Sequence, residues 1–313
     1  MKINRIAPNL SVILAVIAIA GVALFSGCKT SCCQSKSPKH VLVVTTNVGF
    51  RHSSIETAEK ILGELAQKSG AFTVDYARLS PDAEEFKGAD GKTDKAKYES
   101  AVKAVLAEKM SLTALKNYDA VIFANTTGDL PLPDPQGFID WVASGKGFVG
   151  MHSAADTFDK TGNTPGFRPY VEMLGAEFKT HGAQVSVDAI NQDKDCPACR
   201  HLPGSWAVFD EIYQMKSFDR AKVHGLLALD KHPNDKTPGD YPIAWAKAFG
   251  KGRVFYTSFG HREDVWDASW KDATSGERKN SPDVALAYQQ HILGGIKWAL
   301  DLEKCDAKPQ TIK

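Results

Sequence analysis

The chain has 313 residues, 43% of them hydrophobic, and carries 38 Lys plus Arg against 37 Asp plus Glu for a formal net charge of +1. Nothing in that balance points to nucleic acid or another polyanionic partner. The length permits one large α/β domain or two smaller ones, and the apolar content is ample for a core.

Lys2 and Arg5 form a basic start, and Leu10 to Phe25 is an apolar stretch of signal-peptide length. It ends L-F-S-G-C at Cys28, which resembles a bacterial lipoprotein lipobox. That resemblance implies a signal peptide over residues 1–27, cleavage before Cys28, and lipidation of Cys28 as a membrane anchor. A plain secretory signal or an uncleaved anchor is the alternative. Either way the body is expected outside the cytoplasm, in the bacterial cell envelope, on the periplasmic or outer-membrane side. Residues 28–39 are polar and aperiodic, and read as a flexible tether.

Val41 to Thr46 is a buried strand running into N-V-G-F-R-H-S-S-I-E, where Ser53 or Ser54 is placed to cap a helix. Ile55, Ala58, Ile61, Leu62 and Leu65 recur at helical spacing up to Gly70, and Phe72 to Ala77 alternates as a second strand. Arg51 and His52 therefore sit at the carboxyl end of strand one. Residues 80–112 are charged and partly helical, and look like a surface insertion. Tyr118 to Asn125 is the next buried strand, Pro133 to Ser144 a helix, and Gly147 to His152 a further strand.

The segment around that last strand reads K-G-F-V-G-M-H-S-A-A-D from Lys146 to Asp156. Its small residues allow a sharp turn that would leave His152 exposed at the strand's carboxyl end, where open α/β sheets place ligands. The pattern is similar to a nucleophile elbow, with His in place of Ser or Cys. A strand-to-loop junction with a packed histidine is the plainer alternative. Further on come a helix over Phe167–Leu174 and strands at Gln184–Ala189, Gly225–Asp230 and Ile243–Ala248, with F-D-E-I-Y-Q-M at Phe209–Met215 between the first two. Lys251 to His261 repeats the glycine, buried strand, histidine pattern, and Val284–Leu302 is a closing helix. Cys196 and Cys199, in C-P-A-C, are the candidate local disulfide.

With F-R-H, G-M-H-S-A-A-D-T-F, D-E-I-Y and G-K-G-R-V-F-Y-T-S-F-G-H in order, the chain resembles the ThuA-like (trehalose utilisation) family, related to class I glutamine amidotransferases. The resemblance implies a flavodoxin-like, doubly wound, mostly parallel sheet with helices on both faces. That domain would span residues 40–303, followed by a C-terminal tail at 304–313. It also implies a link to disaccharide and keto-sugar metabolism, with a small sugar as substrate. The amidotransferases use a cysteine at the elbow; here no cysteine lies near His152, so a glutaminase acyl-enzyme is not expected.

The expected site gathers His52, His152 and His261 as ligands for a divalent metal such as zinc, leaving a position for water or a sugar oxygen. His152 and His261 would carry the chemistry, with Glu211 as the carboxylate and Ser153 as a less favoured nucleophile, since adjacent residues seldom point together. Arg51, Asp156, Tyr213, Trp245 and Trp266 are the substrate-binding candidates, with Trp270 a further stacking face and His181 and His201 at the mouth. Metal-free acid–base catalysis by the same histidines stays open. The reading leans to a hydrolase, lyase or isomerase; the alternative is a non-catalytic carbohydrate- or partner-binding lipoprotein on the same scaffold.

Overall fold

The parallel half of the sheet begins with β1 (Lys39–Val44), α1 (Ile55–Ser69) and β2 (Phe72–Ala77). It continues through α2 (Lys95–Lys109), α3 (Leu112–Leu115), β3 (Ala120–Ala124), α4 (Pro135–Ala143) and β4 (Gly147–Met151). The structure, a computed structural model, describes residues 37–158 and 167–310. Cys28, the expected signal peptide and most of the tether lie outside the described residues. Among the described residues, no helix is long and apolar enough to cross a membrane.

The second half holds α5 (Arg168–Leu174), β5 (Glu177–His181), β6 (Val185–Asn191), β7 (Ser205–Asp210), β8 (Tyr213–Lys216) and β9 (His224–Lys231). It ends with β10 (Pro238–Phe249), β11 (Gly252–Thr257), α6 (Glu263–Trp266) and α7 (Pro282–Ala299). The main sheet runs β2-β1-β3-β4-β11-β10-β9-β6-β7, while β5 and β8 form a separate two-stranded ribbon. Strands β2 to β11 in that order pair in parallel, and β10, β9, β6 and β7 extend the sheet antiparallel.

Local sequence explains the division. β3 (A-V-I-F-A) and β4 (G-F-V-G-M) are buried at every position, as a parallel strand covered on both faces must be. β6 instead alternates buried and solvent-facing residues, the mark of a half-covered antiparallel strand. One core forms where α1 and α7 lie on the sheet, through residues such as Ile61, Leu62, Ile292 and Ile296. A Cβ on Gly295 would meet the Phe255 ring at 2.4 Å, so α7 reaches its seat on β11 only with glycine there. The opposite core packs α2, α4 and α5 against the other face, through Val102, Leu106, Phe138, Ile139 and Leu174.

Two expectations are corrected. The 80–112 stretch is not a surface insertion: α2 is the crossover between β2 and β3, and Tyr98, Val102 and Leu106 are buried beneath the sheet's second face. The large apolar residues of that helix are only Tyr98, Val102, Val105 and Leu106, so the charged remainder hides the stripe. Cys196 does not pair with Cys199 but with Cys305, 109 residues away. The Cys199 amide bonds back to the Cys196 carbonyl in a tight turn, and the Cys199 thiol is buried against the Leu226 carbonyl. The bridge holds the segment after α7 on the domain, helped by His224 Nδ1 on the Lys308 carbonyl at 2.8 Å.

Leu106→Ala is expected to cost about 2–5 kcal/mol in denaturant unfolding, as for any leucine removed from a packed core. A loss below about 1 kcal/mol, typical of surface positions, would refute the crossover role. Cys305→Ser should cost a further, separate amount of about 2–5 kcal/mol under non-reducing conditions, as loss of a long-loop disulfide does.

Candidate functional site

Three parallel strands deliver one histidine each to the same end of the sheet. His52 follows β1, His152 follows β4 directly, and His261 lies four residues beyond β11. Strand order reverses between β1 and β3, and ligands of open α/β sheets bind in the crevice at such a reversal.

His152 takes a left-handed backbone, φ +45°, an uncommon conformation for a non-glycine residue that costs on the order of 1–3 kcal/mol. Both ends of the residue are pinned. Its carbonyl accepts from Tyr256 Oη at 2.7 Å, and its Nδ1 donates to the Ser258 carbonyl at 2.8 Å. The expected exposure is not found: His152 is fully buried, roofed by the Tyr213 ring with centroids 4.3 Å apart. A carbonyl oxygen can only accept, so Nδ1 carries the proton of the neutral ring and Nε2 presents a lone pair.

That lone pair faces a cluster. The His52, His152 and His261 rings lie 4.8, 5.2 and 5.3 Å apart, edge to face. Glu211 Oε1 is 3.7 Å from His152 Nε2 and 3.3 Å from His261 Nδ1, while Oε2 is 3.0 Å from His181 Nδ1 at the half-exposed rim. One ligating atom from each of His52, His152, Glu211 and His261 lies within 4.8 Å of all the others. His152 Nε2 is buried without a hydrogen-bond partner, while His261 Nδ1 has only the Glu211 carboxylate beside it. An orphaned buried acceptor is rare, and one aimed at a cluster of imidazoles and a carboxylate fits a bound cation.

Electrostatics favour the neutral form of His52 and His152. Burial, then the neighbouring histidines, pushes His152 well below the ordinary imidazole value. Burial and His261 lower His52 to about 4. His261 differs: burial opposes its charge, but Glu211 and Asp210 more than offset this and raise its pKa.

The loop bearing His261 is held by groups the sequence reading missed or misassigned. Buried Asp210 accepts the amides of Gly260 at 2.8 Å and Arg262 at 3.2 Å, gripping the backbone on either side of His261. Burial raises the Asp210 pKa to about 7. Gly260, at φ +123°, turns its carbonyl to accept from Ser54 Oγ, Asn125 Nδ2 and Trp266 Nε1 at 2.8–3.0 Å. Ser54 is thus a cross-link to that loop and makes no side-chain cap on α1. Asn125, also left-handed at φ +56°, follows β3 in N-T-T-G; a turn after a buried strand was its only sequence signal.

The other expected residues divide as follows. Ser153 is buried with Oγ 3.3 Å from His52 Nδ1, where it orients that ring and is not activated by His152. Tyr213 packs on His152 and Phe178 and is buried, so it is a roof and not an open sugar contact. Trp245 and Trp266 are sealed in the core, their Nε1 groups bonded to the Leu174 and Gly260 carbonyls, and offer no stacking face. Arg51 is committed to Glu56 at 2.7 Å and the Leu79 carbonyl at 3.2 Å. Asp156 is half-buried at the end of the turn after His152, and its charge bears on Tyr213 and Tyr256. His181 joins the mouth; His201 does not, bonding instead to the Ala287 carbonyl.

Because His52 and His152 are depressed in the fold, their contribution to stability is complete above pH 6.5 and is lost progressively as pH falls below it, for His52 down to about 4. Metal-free protein should therefore lose about 1.4 kcal/mol per pH unit for each proton that only the unfolded chain binds. Thermal melts stepped from pH 7 to pH 4 should show a shallower loss for His52→Gln; an unchanged slope would refute neutral burial of His52.

Among curated proteins, nothing matches the chain. Solved structures do, among them a ThuA-like protein from Parabacteroides merdae ATCC 43184, which is 19% identical, has a TM-score of 0.59, and covers 84% of this chain and 90% of its own. A ThuA-like protein from Bacteroides uniformis ATCC 8492, 18% identical with a TM-score of 0.55, covers 85% of this chain and 93% of its own. At such identity these likenesses speak for the fold alone. The ThuA family, described as trehalose utilisation, matches residues 40–274, which is most of the chain. The protein belongs to the ThuA family.

Proposed function

We propose that this protein is an enzyme of carbohydrate metabolism that acts on a disaccharide or its keto form at a His-built divalent-metal site. The reaction class is hydrolysis, elimination or isomerisation. The observation that carries it is the buried Nε2 of His152, deprotonated by geometry and lacking any partner, aimed where His52, His261 and Glu211 converge. Histidines splayed apart would have favoured a binding protein without chemistry. Zinc is the expected ion, given three imidazoles and one carboxylate.

When bound, a divalent ion supplies Lewis acidity to a sugar oxygen. The protein's own groups do the rest. Ser258 fixes the His152 tautomer, and Ser153 orients His52. Glu211 spans the buried histidines and His181, so a proton can pass between the cluster and the solvent-facing rim. His181, half-exposed and 3.0 Å from Glu211, is the group placed to give or take that proton from substrate. The lipid anchor and envelope location read from the N-terminus belong to the same proposal: a tethered enzyme meeting sugars outside the cytoplasm.

Metal analysis of the purified full chain tests the reading. About one zinc or similar ion per chain is expected in wild type, and loss of that ion in His152→Ala. Absence of metal from wild type, even after incubation with excess zinc, sinks the metal reading and leaves metal-free acid–base catalysis or binding alone. With disaccharides and their keto forms as substrates, Glu211→Gln should lower turnover by about 10²–10⁴, the scale of a lost acid–base group.

A further inference from the structure

A cleft of about 560 Å³ opens beside His261, lined among others by Gln184, Glu263, Trp270, Glu277 and Lys279. Its volume falls within the range of about 300–1,000 Å³ usual for small-molecule sites. It extends from the histidine cluster to the loop at 270–279, so a ligand reacting at His261 would leave most of the cleft for a second unit.

We infer that this cleft is a subsite for the second ring of a neutral disaccharide, with Trp270 as its stacking platform; the inference rests on the sugar reading above. Trp270 is only half-buried and lines the cleft wall, unlike the sealed Trp245 and Trp266. An indole face takes the apolar C–H face of a pyranose, while surrounding polar groups take its hydroxyls.

The charges in the wall choose the ligand. Arg262 forks onto both oxygens of Asp264 and also bonds Gln184 Oε1 at 2.8 Å. Arg278 is spent on the backbone carbonyls of Ala268, Asn280 and Asp264. Neither guanidinium is left for a phosphate, and the one remaining cation of the wall, Lys279, is outnumbered by Glu263, Asp272 and Glu277. Those carboxylates accept from hydroxyls, and Gln184, its oxygen occupied, keeps its amide hydrogens for a sugar oxygen. A neutral sugar suits this wall better than a sugar phosphate does.

The platform is also set in advance. Asp264 accepts the amides of Lys279 and Asn280 and Asn280 Nδ2, and Asp272 accepts the amides of Thr274 and Ser275. These bonds order the loop carrying Trp270 before a ligand arrives, which lowers the entropy cost of binding.

The test titrates zinc-loaded wild type, Trp270→Ala and Trp270→Phe with trehalose, maltose, their keto forms, trehalose phosphate and glucose, by calorimetry and saturation-transfer NMR. Trp270→Ala should weaken disaccharide binding at least tenfold and leave glucose within about threefold, while Trp270→Phe keeps most disaccharide affinity. Trehalose phosphate should bind more weakly than trehalose. Unchanged zinc content in both variants would show the cluster intact. Disaccharide binding in Trp270→Ala equal to wild type overturns the subsite alone. A wild type that binds no sugar overturns the subsite together with the sugar reading.

Discussion

The His152 Nδ1 bond to the Ser258 carbonyl decides what this site can be. It spans β4 and the chain just beyond β11, two neighbouring parallel strands, and it uses the one proton a neutral imidazole has. Nε2 is thereby committed to accepting, inside a pocket where no donor meets it. A left-handed backbone normally costs free energy, and here the Tyr256 and Ser258 bonds hold the residue in it. The surroundings then leave two options for the lone pair, a cation or a substrate proton.

The neighbouring carboxylates owe their different jobs to strand geometry. Asp210 ends β7 and Glu211 follows, and successive side chains of an extended chain point to opposite sides. Asp210 turns inward and grips the amides flanking His261, while Glu211 turns into the histidines. Removing the first would loosen a loop; removing the second would leave the imidazoles without their counter-charge. The short ribbon of β5 and β8 makes this possible, since His181 pairs with Tyr213 there and brings the rim histidine and the roof together.

Much of the fold was legible because its central strands hold short buried apolar runs beside glycines, as at Phe148–Val149 and Val254–Phe255. The three histidines were legible because each follows such a strand. What was hidden has a common cause: it depends on tertiary partners far away in sequence. The apolar stripe of α2 is four side chains, Tyr98, Val102, Val105 and Leu106, among Lys, Glu and Ala, and only the sheet reveals it as a core helix. Cys196 lies three residues from Cys199 but meets Cys305, because the turn and the returning tail set the geometry. Trp266 looked like a sugar platform, yet its indole nitrogen is needed by the Gly260 carbonyl. Asn125 carried no motif, since it acts through a loop it meets only in space, and Ser258, although inside the G-K-G-R-V-F-Y-T-S-F-G-H run, showed no role, since it acts through a backbone oxygen any residue could supply.

The turn after β4 has the form of an elbow but carries a histidine where a nucleophile would stand. It holds φ +45°, and its side chain is rigid and buried and points sideways into other imidazoles. A strain of this kind survives only where surrounding structure over-determines it. Tyr256, Ser258 and Tyr213 do so around His152, and all three act on its backbone or on its ring rather than on any ligand. The site is thus organised before anything binds, and what it organises is a set of lone pairs at the strand ends, beside a cleft wide enough for a sugar.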